Sequence, residues 1–161
     1  MRIASLKENP AWADIIANRC WHAWWTDSGV SLTDYRAGMD AMISGNGIPL
    51  ALVAHDEGRY LGSVFLIDND LDARPTLKPW IAALWVEPSE RRRGIASQLI
   101  QAAREEARRL EHATGYLCAT EDKTAFYLSR GFRLIERDVD GLNVFMIPSQ
   151  GEATEGGSKT P

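Results

Sequence analysis

Three consecutive segments constrain the fold of this chain more than anything else in it: Trp80 to Val86, the run that starts near Gly94, and Tyr116 to Thr120. Trp80-Ile81-Ala82-Ala83-Leu84-Trp85-Val86 is continuously apolar, the pattern of a strand buried on both faces, and Pro88 closes it. Apolar residues then recur at helical spacing at Ile95, Leu99, Ile100, Ala103, Ala107 and Leu110, with Arg104, Glu105, Arg108 and Arg109 on the wet face. Gly115 separates this helix from the next strand, so the stretch reads as a strand-helix-strand crossover.

The flanks read as two helices and two hairpins. Met1 to Leu6 suits a short opening strand, and Asn9 and Pro10 stand as N-cap and first residue of a helix reaching about Trp25. Trp12, Ile16, Cys20 and Trp24 form one stripe on it, flanked by Trp21 and Trp25, with core packing expected for Trp12. Ser31 to Asp34 opens a second helix that ends near Gly45. Pro49 to His55 and Tyr60 to Asp68 form a hairpin, and the loop from Asn69 to Pro79 follows. Past the crossover, Lys123 to Arg130 is a short helix with Gly131 as a left-handed C-cap. Phe132 to Arg137 and Leu142 to Ile147 flank the turn Asp140-Gly141. The order is mixed α/β, with antiparallel hairpins at both ends and the crossover in the middle.

Composition narrows the class. At 161 residues and 45% hydrophobic content, the chain suits one domain, residues 1–148, with a core large enough to need neither disulfide nor structural metal. Cys20 and Cys118 lie far apart without CxxC spacing, which favours a reducing compartment. No signal-like or membrane-length apolar stretch occurs, so a soluble, cytoplasmic protein without a membrane partner is expected. A net charge of −4 argues against nucleic acid as a partner and mildly favours cationic ones. From Ser149 the tail is polar and Gly-rich and is expected to be disordered.

The segment Val86-Glu87-Pro88-Ser89-Glu90-Arg91-Arg92-Arg93-Gly94-Ile95-Ala96 carries the chemistry. It joins a buried strand to a helix N-terminus, where unpaired N–H groups and the positive dipole end can cradle a pyrophosphate, and Gly94 and Ala96 permit close approach. The arginines add charge for a polyanion. Taken alone, three adjacent arginines read equally as a solvated charge run. Neither GxxxxGK nor GxGxxG is present.

In this segment the chain resembles the GNAT superfamily of N-acetyltransferases, whose acetyl-CoA motif is R/Q-x-x-G-x-G/A after a strand ending in V-x-P. Arg91-x-x-Gly94-x-Ala96 after Val86-x-Pro88 matches it, and Phe126-Tyr127-Leu128-Ser129-Arg130-Gly131-Phe132 resembles the family's F/L-Y-x-x-x-G-F signature. The resemblance is specific from Trp80 to Phe132. It implies an α/β fold with a central mixed, mostly antiparallel sheet of about six to seven strands flanked by about four helices. It also implies acetyl-CoA as co-substrate, with no metal and an amine of a small molecule or peptide as acceptor. By position, the backbone of Leu84, Trp85 and Val86 would pair with the pantetheine arm. Arg91, Arg92, Arg93, Gly94, Ile95 and Ala96 would hold the pyrophosphate, and Thr120 stands where many members place an asparagine against the pantetheine.

Tyr127 falls at the family's general-acid position; a phenol near pKa 10 is neutral at pH 7 and can protonate a departing thiolate. The other reading is an amphipathic core tyrosine. The strand Trp80 to Val86 lacks the carboxylate that several members use as a base, Glu87 is too near the cofactor loop for that role, and no base is assigned. Asp68, Asp70 and Asp72, with Glu121 and Asp122, are the acidic candidates for acceptor contact, Asp68 and Asp70 foremost. Cys118, in an apolar strand without an adjacent histidine, is expected to be core. A catalytically silent acyl-CoA-binding module of the same fold is the alternative. Acceptor identity and oligomeric state are open.

Overall fold

The computed structural model describes residues 1–150. In chain order the elements are β1 (Arg2–Ser5), α1 (Trp12–Trp24), α2 (Leu32–Ala37), α3 (Asp40–Ser44), β2 (Leu50–Asp56), β3 (Arg59–Ile67), β4 (Trp80–Val86), α4 (Ile95–Arg109), β5 (Thr114–Ala119), α5 (Thr124–Leu128), β6 (Arg133–Val139) and β7 (Leu142–Pro148). The strands form one seven-stranded mixed sheet in the order β1-β2-β3-β4-β5-β7-β6. By compactness the described residues divide into two units, Met1–Leu66 with Ala83–Ala103, and Ile67–Ala82 with residues 104–150. Among the described residues no helix is long and apolar enough to cross a membrane.

In the first unit, β1 and β3 both run antiparallel to β2, with Arg2 opposite His55 and Leu50 opposite Leu66. Glu57 and Gly58 turn the β2–β3 hairpin with φ of 48° and 77°, the left-handed pair a tight hairpin demands. Helix α1 starts two residues later than expected, because Asn9 Oδ1 accepts from the Ala11 N–H at 3.3 Å and forms a turn instead of an N-cap. Its stripe buries Ile16 and Cys20 completely but leaves Trp24 51% exposed, so the stripe is core only in its middle. The single helix expected from Ser31 to Gly45 is two. Ser31 caps α2 as expected, accepting from the Asp34 N–H at 3.0 Å. At Gly38, a poor helix residue, the bonding tightens to Met39 N–H on Arg36 O at 3.0 Å, and Met39 turns into the core.

Two contacts join this sheet to the end of β4. Gly62 on β3 has no room for a side chain: a Cβ there would stand 2.6 Å from Trp85 O and 3.2 Å from Val86 Cα. From α1, Arg19 forks onto Glu87 with Nε to Oε2 at 2.9 Å and a second nitrogen to Oε1 at 2.9 Å, and Glu87 Oε2 also accepts from the Trp85 indole at 2.9 Å. The expectation that β4 is buried on both faces holds only at its start. Trp80 and Ile81 are fully buried, whereas Ala83, Leu84 and Trp85 are partly exposed. The change coincides with a left-handed Ala83, φ 52°, which breaks the regular pleat in mid-strand as a bulge does.

In the second unit, β4 meets β5 in parallel at Trp80 and Tyr116, closing the expected crossover. Strand β7 lies antiparallel between β5 and β6, and the β6–β7 hairpin turns on Asp140 and Gly141 with φ of 52° and 84°. Leu71, Trp80, Val139 and Val144 form a core on one face, with Tyr116 and Cys118 packed against it. Cys118 is thus only partly buried, and its thiol donates to Asp70 Oδ2 at 3.4 Å instead of facing only apolar neighbours. The helix expected over 123–130 shortens to α5 behind a 3-10 turn at Glu121–Lys123. Ser149, expected in the tail, is buried and its N–H donates to Ala113 O at 2.9 Å. The rest of the expected tail, from 151 on, lies outside the described residues.

Gly62→Ala should destabilise the protein by about 1–3 kcal/mol, as overpacking against backbone does, seen as a lower urea midpoint with an unchanged slope. Burial alone would raise the Glu87 pKa, but the Arg19 and Trp85 hydrogen bonds and the Arg19 and Arg91 charges together hold it below its ordinary value. A depressed carboxylate adds stability that is complete above the unfolded pKa, about 4.3, and is lost as pH falls through the lower folded value. Glu87→Gln should therefore cost about 1–2 kcal/mol at pH 7, discounted for the part-exposed Arg19, and the gap in Tm to the wild type should narrow below about pH 4. A gap that is constant with pH would overturn the assignment.

Candidate active site

The loop between β4 and α4 divides its three arginines between different tasks. Arg91 folds back, its Nε donating to Val86 O at 2.8 Å and its guanidinium lying 4.8 Å from the Trp85 ring centroid. Arg93 pairs with Glu90, which also accepts from Arg59 at 2.6 Å, and the two cations hold the Glu90 carboxyl below its ordinary pKa, Arg59 first. Arg92 is exposed and has no ion-pair or hydrogen-bond partner among the described residues. Among the described residues, Arg91 and Arg93 make contacts within the loop and Arg92 makes none.

Backbone shape does the rest. Arg92 and Gly94 are left-handed, with φ of 65° and 80°, the kind of curl that turns successive N–H groups toward one point. The N–H groups of Ile95, Ala96 and Ser97 belong to the first turn of α4, ahead of its first internal bond, Gln98 N–H to Gly94 O at 3.1 Å. A Cβ on Gly94 would meet nothing within 4 Å, so the loop is open at that point. A donor-rich, open helix start with a free arginine fits a diphosphate chemically. Leu84 and Trp85 precede it on the partly exposed half of β4, with Val86 buried at its end.

In the second unit, Tyr127 sits in a cage of rings: Phe126 at 5.0 Å and Phe132 at 5.4 Å, both edge-on, and Phe145 at 5.7 Å. The Tyr127 carbonyl accepts from Arg130 N–H at 3.0 Å and Phe132 N–H at 3.2 Å, so the turn before Gly131, φ 94°, fixes its backbone too. Its hydroxyl makes no hydrogen bond among the described residues. Burial pushes the phenol up to about 12, opposed by the Arg130 charge. Tyr127 is half-buried, and its phenol is protonated at neutral pH.

The remaining candidates have other ties. Thr120 donates its hydroxyl to Asp122 at the start of the 3-10 turn. Asp68, Asp70 and Asp72 are all exposed; Asp70 accepts from the Cys118 thiol and Asp72 from Asn69 at 2.8 Å. Glu121 accepts from Asn143 at 2.8 Å and pairs with Arg137. His55 stacks on Trp12 at 5.8 Å, and His22 Nδ1 lies 2.8 Å from Asn18 O. Among the described residues no cluster of ligands suits a metal. The sequence reading missed Arg19, 68 residues from its partner Glu87, because no local pattern marks a contact that long.

A family model for the acetyltransferase (GNAT) domain matches residues 49–134, more than half of the chain. Among solved structures, an aminoglycoside 6'-N-acetyltransferase in complex with coenzyme A is similar at a TM-score of 0.73 and 16% identity, covering 94% of this chain and 98% of that one. An aminoglycoside 6'-N-acetyltransferase from Enterococcus faecium is similar at 0.68 and 17%, covering 94% and 98%. A spermidine N-acetyltransferase from Vibrio cholerae is similar at 0.66 and 17%, covering 92% and 95%. At these identities the likeness is one of fold, and comparison with curated proteins finds no match. With its two motifs on a β4–α4 crossover and on α5, and a family model spanning both, this chain belongs to the GNAT acetyltransferase family.

Proposed function

We propose that the protein transfers the acetyl group of acetyl-CoA to the amine of a small molecule by direct attack in a ternary complex, with Tyr127 as general acid. The observation that carries this is Tyr127, its ring packed by three phenylalanines and its hydroxyl protonated and without a hydrogen-bond partner among the described residues. Aminoglycosides and spermidine, the acceptors named for similar structures, are small-molecule amines, and the acceptor is sought in that class.

The thioester is the activated group that acetyl-CoA supplies. The α4 N-terminus, Gly94 and the free Arg92 hold the diphosphate, and the backbone of Leu84 to Val86 orients the pantetheine arm, with Val86 N–H assigned to the thioester oxygen. Holding both reactants in one site replaces an encounter in solution. The amine lone pair forms the N–C bond, the C–S pair leaves on sulfur, and Tyr127 gives sulfur its proton and takes one back from water. The excess proton of the amine passes to water, so no protein base is required of β4, which has none.

Gly94→Glu should weaken acetyl-CoA binding at least about tenfold in calorimetry, since a carboxylate would face the phosphates and a left-handed φ is strained for any side chain. Tyr127→Phe should keep the ring cage and acetyl-CoA affinity while kcat falls about 10²–10⁴-fold. A phenol held at about 12 stays protonated through the usual range, so kcat should rise with pH as the amine loses its proton and show no fall before pH 10. A Tyr127→Phe enzyme of normal kcat with chemistry rate-limiting would refute the general acid. Acetyl-CoA binding without turnover across an amine panel would instead identify a silent binding module.

A further inference from the structure

Arg130 lies just beyond the end of α5, and its guanidinium folds back onto Phe126. The central carbon stands 3.5 Å from the Phe126 ring centroid, and Nη1 donates to Phe126 O and to Ser129 Oγ, each at 3.1 Å. The Arg130 N–H donates to Tyr127 O at 3.0 Å, which ties the backbone as well. Phe126 is also the ring that meets Tyr127 edge-on at 5.0 Å, so a tethered cation sits one ring away from the phenol. Arg130 Nε is buried and has no hydrogen-bond partner among the described residues. Capping the Phe126 carbonyl does not need that buried N–H, which a lysine would lack.

The other ionisable groups on the elements around Tyr127 are paired, neutral or exposed. Lys123, which precedes α5, pairs with Asp122 at 3.9 Å, and Glu121 with Arg137. Strand β7, whose Phe145 packs on Tyr127, has no ionisable side chain. Strand β5 brings the Cys118 thiol, hydrogen-bonded to Asp70 and pushed by burial up to about 12, hence neutral. Arg133, at the start of β6, is exposed. The Arg130 charge is the one that opposes burial at the phenol. A phenol pushed up to about 12 is a weaker acid than a thiol at about 8.5, so its proton passes uphill to sulfur, and the phenolate left behind is the costly species. A fixed positive charge stabilises that phenolate, more in a packed site than in water, and an arginine keeps its charge at any working pH. Resting on the assignment of Tyr127 as general acid, we propose that Arg130 is a positioning residue for acetyl transfer: its guanidinium, stacked on Phe126, stabilises the Tyr127 phenolate formed when the O–H bond breaks and the S–H bond forms, until water returns the proton.

The test uses the full chain with 3-fluorotyrosine in place of Tyr127, a more acidic phenol whose ionisation is followed by fluorine NMR without any acceptor. Arg130→Gln keeps a donor for the Phe126 carbonyl and Arg130→Met keeps an apolar stem over its ring, so each removes the charge and leaves one tether. Both should raise the ionisation by about one pH unit, a roughly tenfold fall in the acid constant, and Arg130→Lys should restore most of it. In the chain with its natural Tyr127, and with the amine of the panel that turns over fastest, both neutral variants should lower kcat about tenfold while acetyl-CoA affinity in calorimetry changes less than about threefold. On a Tyr127→Phe background the same changes should cost at least about fivefold less, because no phenolate forms there. Melting curves restrict the comparison to folded variants. An ionisation unmoved in a folded neutral variant, or an equal kcat loss with and without the Tyr127 hydroxyl, would overturn the inference, and a low kcat of Tyr127→Phe itself would then leave the general acid standing. Unfolding of both neutral variants would mark Arg130 as a structural cap and overturn it as well. A normal kcat for Tyr127→Phe, or no turnover of any amine, would sink the general acid and this inference with it.

Discussion

Glu87 is the point on which the first unit hangs. Its backbone N–H donates to Leu61 O at 2.8 Å, one carboxylate is shared between the Arg19 fork and the Trp85 indole, and the next residue, Pro88, begins the turn into the loop. A carboxylate with that many donors is held in one position, and it holds three elements with it: α1 through Arg19, β3 through Leu61, and β4 through Trp85. The arrangement explains why a glutamate beside a loop assigned to a polyanion is tolerated. Its charge is already answered by a cation from 68 residues away.

The loop itself divides its arginines between two that contact the chain and one that does not among the described residues. Arg91 and Arg93 face back onto Val86 O and Glu90, which leaves the left-handed backbone at Arg92 and Gly94 to shape the entrance of α4. Side chains that reach inward restrict the conformations open to the loop. Positive charge still surrounds the site, because a braced guanidinium keeps its charge.

Tyr127 follows the opposite logic. Its ring packs against three phenylalanines while its hydroxyl, on a half-buried residue, makes no hydrogen bond among the described residues. Burial raises its pKa, so the phenol stays protonated through the neutral range.

What the sequence by itself determined is local and periodic. The 3.6-residue stripe of α4, the Asp140-Gly141 turn, the Gly131 cap and the motifs Arg91-x-x-Gly94-x-Ala96 and Phe126-Tyr127 each depend on residues close in the chain, and each formed where the pattern placed it. What only the tertiary structure decided is how side chains distant in sequence divide the space. The stripe through Trp12 and Trp24 reads as uniform, yet packing covers its middle and leaves Trp24 half-exposed. The run Trp80 to Val86 is apolar throughout, yet a left-handed Ala83 separates its buried start from its partly exposed end. Three equivalent arginines become two braces and one free cation, and Cys118 acquires Asp70 from a loop 48 residues away. Burial and ion pairing are properties of neighbours in space, and a one-dimensional pattern specifies only neighbours along the chain.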